Sequence, residues 1–258
     1  MNGLVSYPDS ESDEEEATSE CMKSPDSSAV RNLPPPVSVS NQSKRGSTDD
    51  IEQHEGRIRS FEHERGNWAS YISVTVPYAE DLNELSDSLL EQLNARSTHG
   101  HPFHKIDNPH ISLTRTLKLR HHWLNDLSLS LESMAALFRS FYVSLRDVDV
   151  YVNDERTRTF VGIKVVCGDE QLLKIVNSLN KVLAMYNLPP FYDEPSFHVS
   201  LCWCLYDAKG DFTDEFINGL QEVVDDWVKD SERCSFFLVD HILLKAGHKL
   251  TTFSLDTT

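Results

Sequence analysis

The sequence predicts an α/β (α+β) protein made of two pseudo-symmetric β-α-β-α-β lobes around a central cleft. Three observations predict it. Strand-like and helix-like periods alternate from Trp68 onward, and the order of these elements occurs twice. A short pattern, "NPHISL" at 108–113 and "PSFHVSL" at 195–201, falls at the same place in each copy.

The elements follow in chain order. "WASYISVTV" (68–76) is β-branched and aromatic and stops at Pro77, which reads as a strand. Leu82, Leu85, Leu89 and Leu93 recur at helical spacing and give an amphipathic helix. "HISLTR" is a short strand, "HHWLNDLSLSLESMAALFRS" (121–140) a helix, and "FYVSLRDVDVYV" (141–152) a strand. The order then restarts with a strand at "RTFVGIKVV" (158–166) and a helix marked by Leu172, Ile175, Val176, Leu179, Val182 and Leu183. A strand at "FHVSLCWCL" (197–205) and a helix marked by Phe216, Ile217, Leu220, Val223, Val224 and Trp227 come next. "CSFFLVDHILLKA" and "KLTTFSL" close the chain as two strands, a hairpin around Gly247. From Trp68 to His110 is 42 residues and from Thr159 to His198 is 39, which suggests two related lobes about a pseudo-two-fold axis. Lobe one is 56–152 and lobe two 153–258, with the two motif strands facing each other across one cleft.

Residues 1–55 read differently. This stretch is rich in Ser, Glu and Asp, has almost no aliphatic periodicity, and reads as a disordered acidic tail. It holds 12 acidic residues against Lys23, Arg31, Lys44 and Arg45, close to half of the chain's net charge of −17. An acidic balance argues against non-specific binding along a nucleic-acid backbone, yet leaves room for a small pocket that grips one strand end. The chain has no run of about 18 apolar residues and no basic-then-apolar leader, so it reads as intracellular and soluble. Five cysteines without paired spacing argue against a disulfide framework. "KRGS" at 44–47 reads as a solvated linker more readily than as part of a nuclear import signal.

Strand side chains alternate faces, so His110 and Ser112 point one way while Ile111 and Leu113 point the other. His198 and Ser200 likewise share a face opposite Val199 and Leu201. A lone strand histidine is usually a satisfied core or surface residue, but packing has no use for matched histidines at equivalent places of a duplicated fold. Two imidazoles near their ordinary pKa of about 6.5 let one ring take a proton while the other gives one. The serine hydroxyls are short neutral donors suited to two non-bridging phosphate oxygens. Phosphodiester transesterification has this geometry.

Two His-x-Ser motifs in tandem lobes resemble the two-histidine phosphoesterase superfamily, whose fold is bilobal with a central cleft. The flanks "RGNWASYISVTVPY", "LRHHW", "TRTFVGIKV" and "FYDEPSFHVSLCW" resemble its eukaryotic U6 small nuclear RNA phosphodiesterase branch, from about Gly56 to the C-terminus. The resemblance implies a metal-independent, cofactor-free 3′-to-5′ exoribonuclease that trims the oligouridine 3′ end of U6 RNA and leaves a 2′,3′-cyclic phosphate. It also implies a nuclear protein serving mRNA splicing, with RNA as its partner and spliceosomal proteins as further ones. Carried over residue by residue, His110 is the proton acceptor and His198 the proton donor, while Ser112 and Ser200 bind the scissile phosphate. Tyr192 matches the position where an aromatic ring stacks on a base. Ser196, Phe197, Ile111 and Val199 shape the substrate pocket. In "YVNDERTRTF" the chain has Asp154 where relatives can carry Gln, which leaves Asp154 outside the expected site. The lobes complete each other, so a monomer is expected. Two alternatives stand beside the leading one: a 2′,3′-cyclic phosphodiesterase with the histidine roles reversed, and a non-catalytic RNA-end-binding adaptor.

Other features are set aside. His101, His104, His110, His121 and His122 lack the paired spacing and the cysteines of a zinc site, so no metal is expected. Alternation puts Cys202 and Cys204 on the His198 face, although small residues filling a buried strand is the favoured reading. Arg115, Lys118, Arg120, Arg156, Arg158 and Lys164 flank the motifs and suit either RNA guidance or ordinary surface charge.

Overall fold

Nearly every periodic run of the sequence becomes an element at its expected place. A computed structural model of the chain describes residues 64, 66–77, 79–96, 100–230 and 235–257. The acidic tail, Cys21 and Cys234 lie outside the described residues. The elements run β1 (Asn67–Thr75), α1 (Ala79–Arg96), β2 (His104–Lys105), β3 (His110–Ser112), β4 (Leu117–Arg120), α2 (Leu124–Ala135) and β5 (Phe141–Val152). They continue with β6 (Thr159–Cys167), α3 (Asp169–Ala184), β7 (His198–Cys204), α4 (Asp214–Asp230), β8 (Phe236–Val239), β9 (His241–Ala246) and β10 (Lys249–Ser254).

The helices bury the stripes that predicted them: Leu82, Leu85, Leu89 and Leu93 on α1, and Leu172 through Leu183 on α3. The helix expected over 121–140 is shorter. His121–Trp123 form a 3-10 turn, and α2 ends at Ala135, where its buried stripe of Leu127, Leu131, Met134 and Ala135 ends. Ser140 N–H then donates to the Asp256 carbonyl, drawing the chain into extended backbone.

The strands form one sheet in the order β10-β9-β1-β3-β7-β6-β5-β8, with β2 beside β7 and β4 beside β1. The described residues fall within one unit, so the two expected lobes are halves of a single sheet. Their strands are exchanged. The third strand of the first repeat, β5, pairs with β6 of the second, and β9 of the second repeat pairs with β1 of the first. The single strand expected over 234–246 breaks at Asp240. β8 joins the far edge beside β5, whereas β9 lies between β1 and β10. One residue spans at most about 3.6 Å, so strands near opposite edges of the sheet meet only if the sheet curls. Leu255 N–H donates to the Asp240 carbonyl and Asp256 N–H to the Phe138 carbonyl, which ties the curled ends together.

One face of the sheet is apolar. Ile72, Ile111, Leu113, Val161, Ile163 and Val199 are fully buried with the helix stripes in one core. α1 packs on α4 and β7, and α2 on α3 and β10. The opposite face of β3 and β7 carries the polar partners of the alternation.

Candidate active site

The register of β3 on β7 builds the site. Ile111 pairs with Val199, so antiparallel alternation sets His110 opposite Ser200 and Ser112 opposite His198. The two histidines sit on one diagonal and the two serines on the other, with diagonal Cα atoms about 7–8 Å apart in such a ladder. The motif strands are therefore neighbours in one sheet and do not face each other from separate lobes. The cleft is the hollow of the curl, because β-pairing satisfies the edges that two opposed strands would have left open.

Both imidazoles are held the same way. His110 Nδ1 lies 2.8 Å from the Asn108 carbonyl and His198 Nδ1 lies 2.7 Å from the Ser196 carbonyl. A carbonyl only accepts, so each Nδ1 carries the hydrogen and donates it, leaving Nε2 for chemistry. Tyr71 stacks on His110 with centroids 4.9 Å apart, and Tyr151 stacks on His198 at 3.5 Å. Burial lowers the pKa of both rings, against the opposing pull of those carbonyls. Burial also pushes the Tyr151 phenol up to about 12.

His110, Ser112, His198 and Ser200 line one cavity of about 540 Å³ together with Tyr192, Arg115 and Asp154. The Arg115 guanidinium lies 4.1 Å over the Tyr192 ring and donates to Asp154 at 2.8 Å. That ion pair gives Asp154, which the sequence reading left outside the expected site, a partner on the cavity wall. Burial and then Asp154 raise the Tyr192 phenol pKa. Thr114, Arg115 and Thr116 reach the wall because β3 and β4, both paired to β1, are separated by the chain at 113–116.

The remaining expected residues are placed elsewhere. Ile111 and Val199 are fully buried beneath the motif, and Phe197 is buried against Phe191, so these three support the floor instead of lining it. Ser196 lines an adjoining polar cavity of about 560 Å³ that shares Tyr151 and Asp154 with the first. Cys202 does not face the cleft. A bulge sets Ser200 against Gly162 but Cys202 against Val161, which turns Cys202 toward the helices, where its thiol donates to the Ser86 carbonyl. Burial raises that thiol to about 12. Arg158 lines the cavity, whereas Lys118 pairs with Glu64 at 3.0 Å and Arg120 lies over Trp123. Tyr71 and Tyr151 escaped the sequence reading; in a period-two run each looks like any strand aromatic. No group of three or more His, Cys, Asp or Glu able to hold a metal occurs among the described residues.

The model of a family described as "HVSL: Uncharacterised conserved protein" matches residues 32–254, and its four letters spell His198 to Leu201. A "U6 snRNA phosphodiesterase 1" of Xenopus laevis is 40% identical over 250 residues, covering 95% of this chain and 96% of the relative. The Homo sapiens protein of that name is 34% identical over 226 residues, covering 86% and 84%. A "Structure of Kluyveromyces marxianus Usb1" aligns at 17% identity with a TM-score of 0.49, over 72% of this chain and 97% of that one.

Proposed function

The chain belongs to the HVSL family, and on that premise we propose that it is a phosphodiesterase that trims the oligouridine 3′ end of U6 small nuclear RNA. The observation that carries the reading is the crossed pair of diagonals, with two Nε2 atoms on one and two hydroxyls on the other, set by Ile111 opposite Val199. Relatives at 34–40% identity bearing the name U6 snRNA phosphodiesterase 1 support the substrate.

The reaction needs no group beyond these side chains. His110 Nε2 takes the proton from the 2′-hydroxyl of the penultimate ribose, and that oxygen attacks the adjacent phosphorus. The Ser112 and Ser200 hydroxyls donate to the non-bridging oxygens, where negative charge grows. The bond to the 5′-oxygen of the last nucleotide breaks, and His198 gives that oxygen its proton. A 2′,3′-cyclic phosphate remains on the shortened RNA. Tyr192, half-exposed on the cavity wall, offers its ring to a base. Such an enzyme works in the nucleus beside spliceosomal proteins, as a monomer.

The test is digestion of 5′-labelled oligouridylate in EDTA, with His110→Ala and His198→Ala variants and a substrate carrying 2′-deoxyribose at the penultimate position. Shortening is expected in EDTA with the intact chain and all-ribose RNA, ending in a cyclic phosphate. Shortening that requires free metal, survives either substitution or proceeds on the deoxy substrate overturns the mechanism. Opening of an added 2′,3′-cyclic phosphate without shortening would favour the cyclic-phosphodiesterase alternative.

A further inference from the structure

We infer that Lys245 and Asp149 decide which of the two histidines is the base and which is the acid. The inference rests on the reaction proposed above and adds two positioning residues to it, one in each half of the sheet.

The sheet register relates the two halves residue by residue. With Ile111 equivalent to Val199, the pairings Ser73↔Ser112 and Gly162↔Ser200 make Ser73 equivalent to Gly162, and Tyr71 equivalent to Phe160. One strand further out, Ser73 pairs with Leu243 and Tyr71 with Lys245, while Gly162 pairs with Asp149 and Phe160 with Tyr151. Leu243 therefore corresponds to Asp149, and Lys245 to Tyr151. The equivalence holds along the ladder: Ser70 and Thr159, both fully buried polar residues, also correspond. Where the first half carries a cation, the second carries a neutral phenol. Where the first half carries an alkyl group, the second carries a carboxylate.

Both differences act in one direction. The Lys245 ammonium lies 5.7 Å from the centre of the Tyr71 ring, and that ring stacks on His110. A cation behind the stack disfavours a second positive charge on His110 and keeps Nε2 free to take a proton. Asp149 lies one alternation from Tyr151, whose ring stacks on His198, and a carboxylate there favours the imidazolium that donates. The electrostatics agree: after burial and the Asn108 carbonyl, Lys245 lowers the His110 pKa, and after burial and the Ser196 carbonyl, Asp149 raises that of His198.

The other charged neighbours do not restore the symmetry. Lys164 of β6 stands opposite His198, where the first half has Thr75, but it is exposed and screened by water. Each histidine faces the other, and charge on His110 lowers the His198 pKa. Asp147 of β5 acts on Tyr151. Arg115, Asp154, Glu155 and Arg158 line the same cavity, with Arg115 and Asp154 paired, and Arg156 and Lys209 line the adjoining cavity beside Asp149, where Arg156 is paired with Asp207.

The test is NMR titration of the His110 and His198 ring protons in the substrate-free full chain, beside the pH–rate profile on oligouridylate. Lys245→Met is expected to raise the His110 midpoint and move the ascending limb of the profile to higher pH, while Lys245→Arg keeps both in place. Asp149→Asn is expected to lower the His198 midpoint and move the descending limb to lower pH. Both displacements should be larger at low than at high ionic strength. Midpoints unmoved in both neutral variants, or Lys245→Arg behaving like Lys245→Met, would overturn the assignment. The titrations need no RNA, so their outcome is separate from whether U6 RNA is the substrate.

Discussion

The first motif strand, β3, is three residues long, whereas the second, β7, runs for seven with β6 along one edge and β2 and β3 sharing the other. Around β3 the ladder is supplemented by a side chain, since Thr114 Oγ1 accepts from Ile72 N–H at 2.9 Å. Around β7 the backbones themselves close in: a Cβ on Gly162 would run into the Val199 carbonyl. The candidate site thus has a half that is propped by a hydroxyl and a half that is clamped by a missing side chain. Equivalent places for His110 and His198 in the sheet do not require equal support.

The largest effect separates the halves by role. His110→Ala or His198→Ala is expected to lower kcat on oligouridylate by about 10²–10⁴-fold. On a uridine 3′-phosphate ester of 4-nitrophenol, whose leaving group needs no proton, His198→Ala should recover most of its activity while His110→Ala stays impaired. Recovery by the His110 variant instead would exchange the two roles.

A smaller effect tests the clamp. Gly162→Ala, with backbone in the way of the new methyl group, is expected to cost about 1–3 kcal/mol in denaturant unfolding and to lower activity by displacing Ser200. Ser73→Ala, at the equivalent place in the first half, should cost less in the same measurement; a larger loss there would mean that the propped half is the tighter one.

The smallest effect lies where loops from both halves meet. The Arg115 and Asp154 side chains are 41% and 51% exposed, and such pairs contribute about 0–1 kcal/mol, so Asp154→Asn should leave the unfolding midpoint nearly unchanged. With the carboxylate gone from the cleft, KM for oligouridylate should fall a few-fold at constant kcat. A rise in KM would show that the pair's value is in fixing Arg115 over Tyr192.

Much of this was legible in the sequence because period-two and period-3.6 patterns are local. Leu82 to Leu93 announce α1, and "HVSL" places His198 and Ser200 on one face without any knowledge of the fold. What the sequence withheld depends on partners far along the chain. Nothing in "FYVSLRDVDVYV" says that β5 joins β6 rather than β1, because strand pairing is chosen by the whole sheet. The break falls at the polar pair Asp240–His241, which on its own is too short to mark the end of a strand, and the bulge before Cys202 reverses an alternation that the letters alone extend unbroken. The buried placement of Ile111, Val199 and Phe197 follows from that same alternation and from packing, whereas the stacking of Tyr71 and Tyr151 needs strands other than the motif strands to be in place.

The exchange of β5 and β9 also bears on how the protein is made. A chain leaving the ribosome presents β1 and β3 early, yet β1 lacks its outer neighbour until residues 241–246 have emerged. β5 waits for β6 in turn, and His110 gains its crossed partner only when β7 arrives. Neither half can be completed ahead of the other, so folding should be cooperative over the whole sheet and slow, as expected for long-range strand pairing. The two halves share a moment of assembly as well as a cavity.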